Sequence, residues 1–276
     1  MRTPFADIDY ELVHRILIRF LQSEIGRTGL ERGILGLSGG LDSALVAYLA
    51  VEALGVDRVT AVSMPYRSSS EESRSHARLV ASATGLELLE VDISPMVDSY
   101  YKNEPDASTL RRGNKMARER MSILYDLSAE KGALVLGTSN KSELFLGYGT
   151  AFGDLASAVN PIGDLYKSEV RQLSRLLGVP TEIVDKPPSA DLFAGQSDEE
   201  DLGFSYDEVD PLLRLMLDER RNTEECVEEG FDRALVERVT EMIRRSQFKR
   251  RLPVVAKISR RTVDRDFRYP RDWGTG

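Results

Sequence analysis

Cysteine is nearly absent: Cys226 is the only one among 276 residues. No intrachain disulfide can form, and no multi-cysteine zinc site can be built. Histidine is almost as scarce. His14 and His76 lie far from each other and from any recognisable motif, so neither a Cys–His pair nor a Ser–His–Asp arrangement is expected. Positive charge is in deficit, with 37 basic against 45 acidic side chains and a net charge of −8. That balance argues against a general nucleic-acid binder, which carries a basic surface, but leaves room for a local basic pocket. No apolar run approaches the roughly 20 residues that span a bilayer. Met1 to Asp7 lacks the apolar core of a signal peptide. A cytoplasmic chain without membrane or nucleic-acid partners is the expectation.

What is there is ordinary for a globular protein: 41% apolar and 30% charged residues. The length suits one large α/β domain with a sizeable core. Apolar spacing over Ile8 to Ile25 (Leu12, Ile16, Leu17, Phe20, Leu21) predicts an amphipathic first helix. Gly33 to Leu37 reads as a buried strand, followed by a helix over Ala44 to Leu54. Further strands are expected at Arg58 to Met64, Leu86 to Val91 and Ala133 to Leu136, and helices near 71–83, 109–130 and 167–177. Such alternation is the signature of a doubly wound α/β fold, a parallel sheet with helices on both faces. After about Asp185 the composition changes. Lys186-Pro187-Pro188 breaks regular structure, and the polar stretch 189–201 reads as a mobile loop. Residues 190–202 are the candidate lid. Helices are expected near 206–218 and 232–245. The organisation predicted is a single domain over 1–276, with a core to about 184 and a helical C-terminal extension.

The strongest signal is Ser38-Gly39-Gly40-Leu41-Asp42-Ser43 between the first strand and its helix. Glycines let backbone approach a phosphate closely, and a helix N-terminus offers unpaired N–H groups and partial positive charge. Asp42 is suited to hold Mg²⁺. No Gly-Lys-Ser/Thr follows, which separates the loop from the P-loop of kinases and GTPases. A tight turn with a Ser/Asp cap is the bland alternative. A second segment, Gly137 to Glu143, also follows a strand and opens a helix. Ligands bind beyond the carboxyl ends of parallel strands, so Thr138 and Glu143 are expected to face the crevice that holds Asp42. Taken alone, Thr138 to Asn140 reads as well as a helix cap with a solvated glutamate. Arg118 and Lys167 read, alone, as surface cations.

SGGLDS resembles the signature loop of the ATP pyrophosphatases. GTSNKSELFLGYGTAFGD, NPIGDLYKSEVRQLSRLLGVP, KPPSADL and RGNKMARERM, in this order and spacing, resemble NAD synthetases across most of residues 30–255. The resemblance implies an adenine-nucleotide alpha-hydrolase-like, Rossmann-like sheet. It implies an ATP-dependent ligase that adenylates the carboxylate of deamido-NAD and amidates it with ammonia, releasing AMP and pyrophosphate. The implied ATP site comprises Gly36, Leu37, Ser38, Gly39, Gly40, Leu41, Asp42, Ser43, Thr138, Lys167 and Ser189. Asp42 and Glu143 are the implied Mg²⁺ ligands, and with Lys167 the implied catalytic set. Asn114, Arg118, Glu143, Asp154 and Lys249 are the implied deamido-NAD contacts. A homodimer is implied, with the dinucleotide near its interface. The sequence departs from shorter family members at Ala151, Ala158 and Phe248, on the nicotinate side. Glutamine-hydrolysing domains need a nucleophilic cysteine, and Cys226 lies in the helical C-terminal portion. The chain is therefore expected to use free ammonia or to receive it from a separate glutaminase. Of the basic residues near the end, Arg244, Arg245, Arg250 and Arg251 read as a solvated face. Another ligase of the same superfamily, or a non-catalytic nucleotide sensor, are the competing readings.

Overall fold

A computed structural model describes residues 8–189, 197–251, 253–260 and 262. Four parallel strands form its sheet: β1 (Arg32–Gly36), β2 (Val59–Ser63), β3 (Leu88–Glu90) and β4 (Ala133–Val135). Their order is β3-β2-β1-β4, with Leu35 opposite Ala61 and Ile34 opposite Val135. The chain runs outward from β1 to β3, then returns to place β4 on the other side of β1. That reversal makes a crevice beyond the carboxyl ends of β1 and β4.

Period-two alternation on β1 assigns its side chains to opposite faces. Leu35 packs with α1 (Tyr10–Gly26), α2 (Leu41–Leu54), α3 (Glu71–Thr84) and α7 (Lys167–Leu176). Ile34 packs with α4 (Ser94–Tyr100) and α5 (Thr109–Lys131) through Val97, Met116, Met121 and Leu124. Both faces are covered, as the alternation predicted. Helix α2 is buried nearly all round, with Ala44, Leu45, Val46, Ala47, Leu49 and Ala50 inaccessible. Such a helix lies inside the protein, here between the sheet and α1. Truncating Leu45 to alanine would remove about 2–5 kcal/mol.

A third apolar cluster joins α6 (Lys141–Leu146) and the start of α7 to the C-terminal helices α9 (Asp198–Leu202), α10 (Tyr206–Leu217), α11 (Thr223–Glu228) and α12 (Arg233–Arg245). Helices α4, α8 (Thr181–Val184) and α11 are too short for their periodicity to stand out in the sequence. Helix α2 begins at Leu41, three residues before the expected start, because its N-cap is Gly40 and the motif itself forms the first turn. The candidate lid is described only in its last part. Residues 190–196 lie outside the described residues. Residues 198–202 form α9, with Asp198 and Leu202 buried. The polar composition hid a helix whose two inward positions are the informative ones.

Candidate active site

The loop after β1 is held by its own serines. Ser43 Oγ donates to the Gly40 carbonyl at 3.0 Å, and the Gly40 N–H donates to Ser38 Oγ at 3.2 Å. Gly39 has φ +82, and a Cβ there would lie 2.1 Å from the Ser73 carbonyl oxygen. Only glycine fits between the loop and α3. Gly40 has no side chain to cap α2. The first-turn N–H groups of a helix need partners from outside it, and an anion fits them.

Asn140 serves twice. Its Oδ1 accepts the Glu143 N–H at 3.0 Å while Glu143 Oε2 accepts the Asn140 N–H at 3.3 Å, a capping box at the start of α6. Its Nδ2 donates to Asp42 Oδ1 at 2.9 Å. The segment is therefore a helix cap whose Asn140 also reaches Asp42. Capping fixes one oxygen of Glu143 and turns the other, Oε1, to Lys167 Nζ at 3.3 Å. Lys167 Nζ also pairs with Asp42 Oδ2 and lies 5.4 Å over the Tyr206 ring.

Lys167 is 5% exposed. Burial pushes its ammonium towards neutrality, but Asp42, Glu143 and Asp198 together push further the other way, so it stays charged. Burial and the neighbouring Asp42 raise the Glu143 carboxyl to about 8, with Lys167 opposing. Far from being solvated, the Glu143 side chain is 15% exposed.

One cavity of about 780 Å³ carries these groups. Gly36, Leu37, Ser38, Gly40, Asp42, Ser43, Thr138, Glu143, Lys167 and Ser189 line it, and so do Asn114, Asp154 and Lys249. Three anticipated residues do not. Gly39 is packed against Ser73, Leu41 is 8% exposed in the core, and Arg118 lies on an exposed part of α5, donating to the Ala151 carbonyl at 3.1 Å. At the far end, Thr150 Oγ1 donates to Asn114 Oδ1 at 2.8 Å, and its N–H donates to Asp154 Oδ1 at 3.0 Å. Lys249 Nζ donates to the carbonyls of Gly147 and Gly149, each at 2.8 Å. Burial lowers its pKa, with Asp154 pulling it back.

The sequence reading missed other lining residues: Arg74, Arg120, Tyr148, Asp198 and Asp201. The Tyr148 hydroxyl reaches Asp198 Oδ1 at 2.9 Å and Asp201 Oδ2 at 3.0 Å, which ties α9 to the site. No local motif announces these residues; only the polar run around Asp198 could have drawn attention. Arg250, read as solvated, instead donates to the carbonyls of Leu144 and Phe145 at the end of α6. At the departures, Ala151 contributes a carbonyl to Arg118, Ala158 donates its N–H to Val135, and Phe248 is 67% exposed.

The acidic pair offers hard oxygen donors, which suits Mg²⁺. Among the described residues no group of three or more His, Cys, Asp or Glu could hold a metal ion. A dication at Asp42 and Glu143 would therefore complete its shell with phosphate and water, as Mg²⁺ in nucleotide sites does.

Fold and site together define an α/β nucleotide-binding enzyme whose anion loop lies at the switch point of the sheet. The family model for NAD synthase matches residues 13–253. The chain is 59% identical over 268 residues to the NH(3)-dependent NAD(+) synthetase of Trichlorobacter lovleyi, covering 97% of this chain and 98% of that protein. Among solved structures it resembles the NH3-dependent NAD synthetase of Campylobacter jejuni (34% identity, TM-score 0.78), covering 91% of this chain and 100% of that one. It also resembles the NMN synthetase of Francisella tularensis (31% identity, TM-score 0.81), with the same coverage. The chain belongs to the NAD synthase family.

Proposed function

We propose that this chain is an ammonia-using ligase that converts deamido-NAD to NAD at the expense of ATP. The observation that carries the reading is Lys167 set between Asp42 and Glu143 beside the uncapped start of α2, in a cavity that continues to Asn114, Asp154 and Lys249. In the first step a nicotinate carboxylate oxygen attacks the α-phosphorus of ATP and pyrophosphate leaves. In the second, ammonia attacks the carboxyl carbon, loses a proton, and AMP leaves.

The first step brings two anions together, so neutralisation and alignment are the protein's contribution. The loop Ser38–Ser43 seats the phosphates, Lys167 neutralises them, and Thr138 and Ser189 contact the nucleotide. Asn114, Asp154 and Lys249 address the dinucleotide from the cavity wall, and Arg118, outside that wall, addresses the dinucleotide of the neighbouring copy. Mg²⁺ held by Asp42 and Glu143 would withdraw charge from the phosphate oxygens. Fixing a nucleophile in line lowers a barrier by about 7–11 kcal/mol at most, and no covalent enzyme intermediate is required. Cys226 is 0% exposed in the C-terminal cluster, which disfavours a role in glutamine hydrolysis. The functional unit is a homodimer; exposed Leu110 (74%) and Phe152 (75%) support an apolar contact.

The test is NAD formation from deamido-NAD and ATP-Mg²⁺ with ammonium or with glutamine. Activity with ammonium alone is expected. Asp42→Ala is expected to lower pyrophosphate release by at least about 100-fold. Full activity in that variant would refute the metal assignment, and no NAD from any nitrogen donor would refute the reaction.

A further inference from the structure

We propose that Asp210 is a positioning residue: its one carboxylate ties together the starts of α6 and α7, and so fixes Glu143 against Lys167. Its oxygens divide between two serines. Ser142 Oγ donates to Oδ1 at 2.6 Å. The Ser168 N–H and Oγ donate to Oδ2 at 2.8 and 2.6 Å. Ser142 Oγ also accepts the Lys167 N–H at 3.0 Å. Ser142 precedes Glu143 and Ser168 follows Lys167, so each serine is the chain neighbour of a site residue. Asp210 and Ser142 are 0% exposed and Ser168 is 9% exposed.

Three N–H or O–H donors converge on one carboxylate, and a fourth is relayed to it through Ser142. A carboxylate meets this demand because both oxygens accept; an asparagine amide would turn a donor towards donors. Tyr206 lies one turn earlier on α10, under the Lys167 ammonium. Helix α10 thus sets both the backbone entry and the charged end of the same lysine, although it adds neither of these residues to the cavity wall.

The inference rests on the functional reading only for its kinetic test. Shifting a reacting group by 1 Å can cost about 100-fold in rate. Asp210→Asn and Ser168→Ala are expected to lower kcat for NAD formation by about 10- to 100-fold. The KM for deamido-NAD should move less than kcat, because four of its five implied contacts, Asn114, Arg118, Asp154 and Lys249, lie outside α6 and α7. Asp210→Ala added to Ser142→Ala/Ser168→Ala should cost little more, since all three act through one carboxylate. Crystal structures of the variants should show Lys167 Nζ withdrawn from its 3.3 Å contact with Glu143. Lost thermal stability with unchanged kcat and an intact contact would overturn the proposal. Should Asp210→Asn fail to fold, the two single serine variants decide it. Should the wild type make no NAD, the functional reading falls, and the contact distance alone judges the clamp.

Discussion

At the level of single residues, Tyr206 presents a conflict. It is 0% exposed, and its hydroxyl has no hydrogen-bond partner among the described residues. Burial, then Glu143 and Asp198, drive the phenol far above its ordinary pKa, so it keeps its proton. An unsatisfied buried hydroxyl costs about 1–3 kcal/mol. The ring, by contrast, is useful beneath the Lys167 ammonium at 5.4 Å. Tyr206→Phe keeps the ring and removes the burden. It should raise stability by about 1 kcal/mol in thermal melts and leave Lys167 in place. A drop in melting temperature would mean that the hydroxyl is bonded in solution. Neither Tyr206 nor Asp210 could be singled out from the sequence. Asp210 meets Ser142 across 68 residues of chain, and the local pattern of α10 is that of any amphipathic helix.

Among the elements, the two whose acidic side chains could be placed from the residues alone are those with a strand before them, α2 and α6. Asp42 and Glu143 each follow a strand of the parallel sheet, and the carboxyl-end rule alone brings them to one crevice. Asn114, Asp154 and Lys249 reached the same cavity only through family likeness. Arg118 did not, because its position on α5 turns it outward to Ala151. Helix α7 adds a titratable feature at the start that carries Lys167. Glu169 Oε2 accepts the Tyr166 N–H at 2.9 Å, and its Oε1 lies 3.8 Å from Arg214. Burial raises its carboxyl above the ordinary 4.5, with Tyr166 and Arg214 pulling it back. A raised acid binds its proton more tightly when folded. The stability this brings is complete below the ordinary value and drains as pH rises through the folded value. Glutamine keeps the acceptor without titrating. The melting temperature of Glu169→Gln should therefore gain on that of the wild type as pH rises from 4.5 towards neutrality. A constant difference, or one running the other way, would refute this.

For the whole molecule, the outward turn of Arg118 gains a meaning if two copies pair. Leu110, Arg118 and Tyr125 share one face of α5, and Leu110, Tyr125 and Phe152 are exposed. Large exposed apolar side chains along one helix face suit a contact with a second copy, and a two-fold pairing would bury the same side chains on both copies. Sedimentation should show a dimer, and Leu110→Glu should shift it to monomer. In such a pair Arg118 can serve the dinucleotide of the neighbouring copy. Mixing separately inactive Arg118→Ala and Asp42→Ala chains then gives hybrids with one competent site. Random pairing makes half of the dimers hybrid, so about a quarter of wild-type activity should return. If Arg118 acts within its own chain, every hybrid site is defective and the mixture stays inactive.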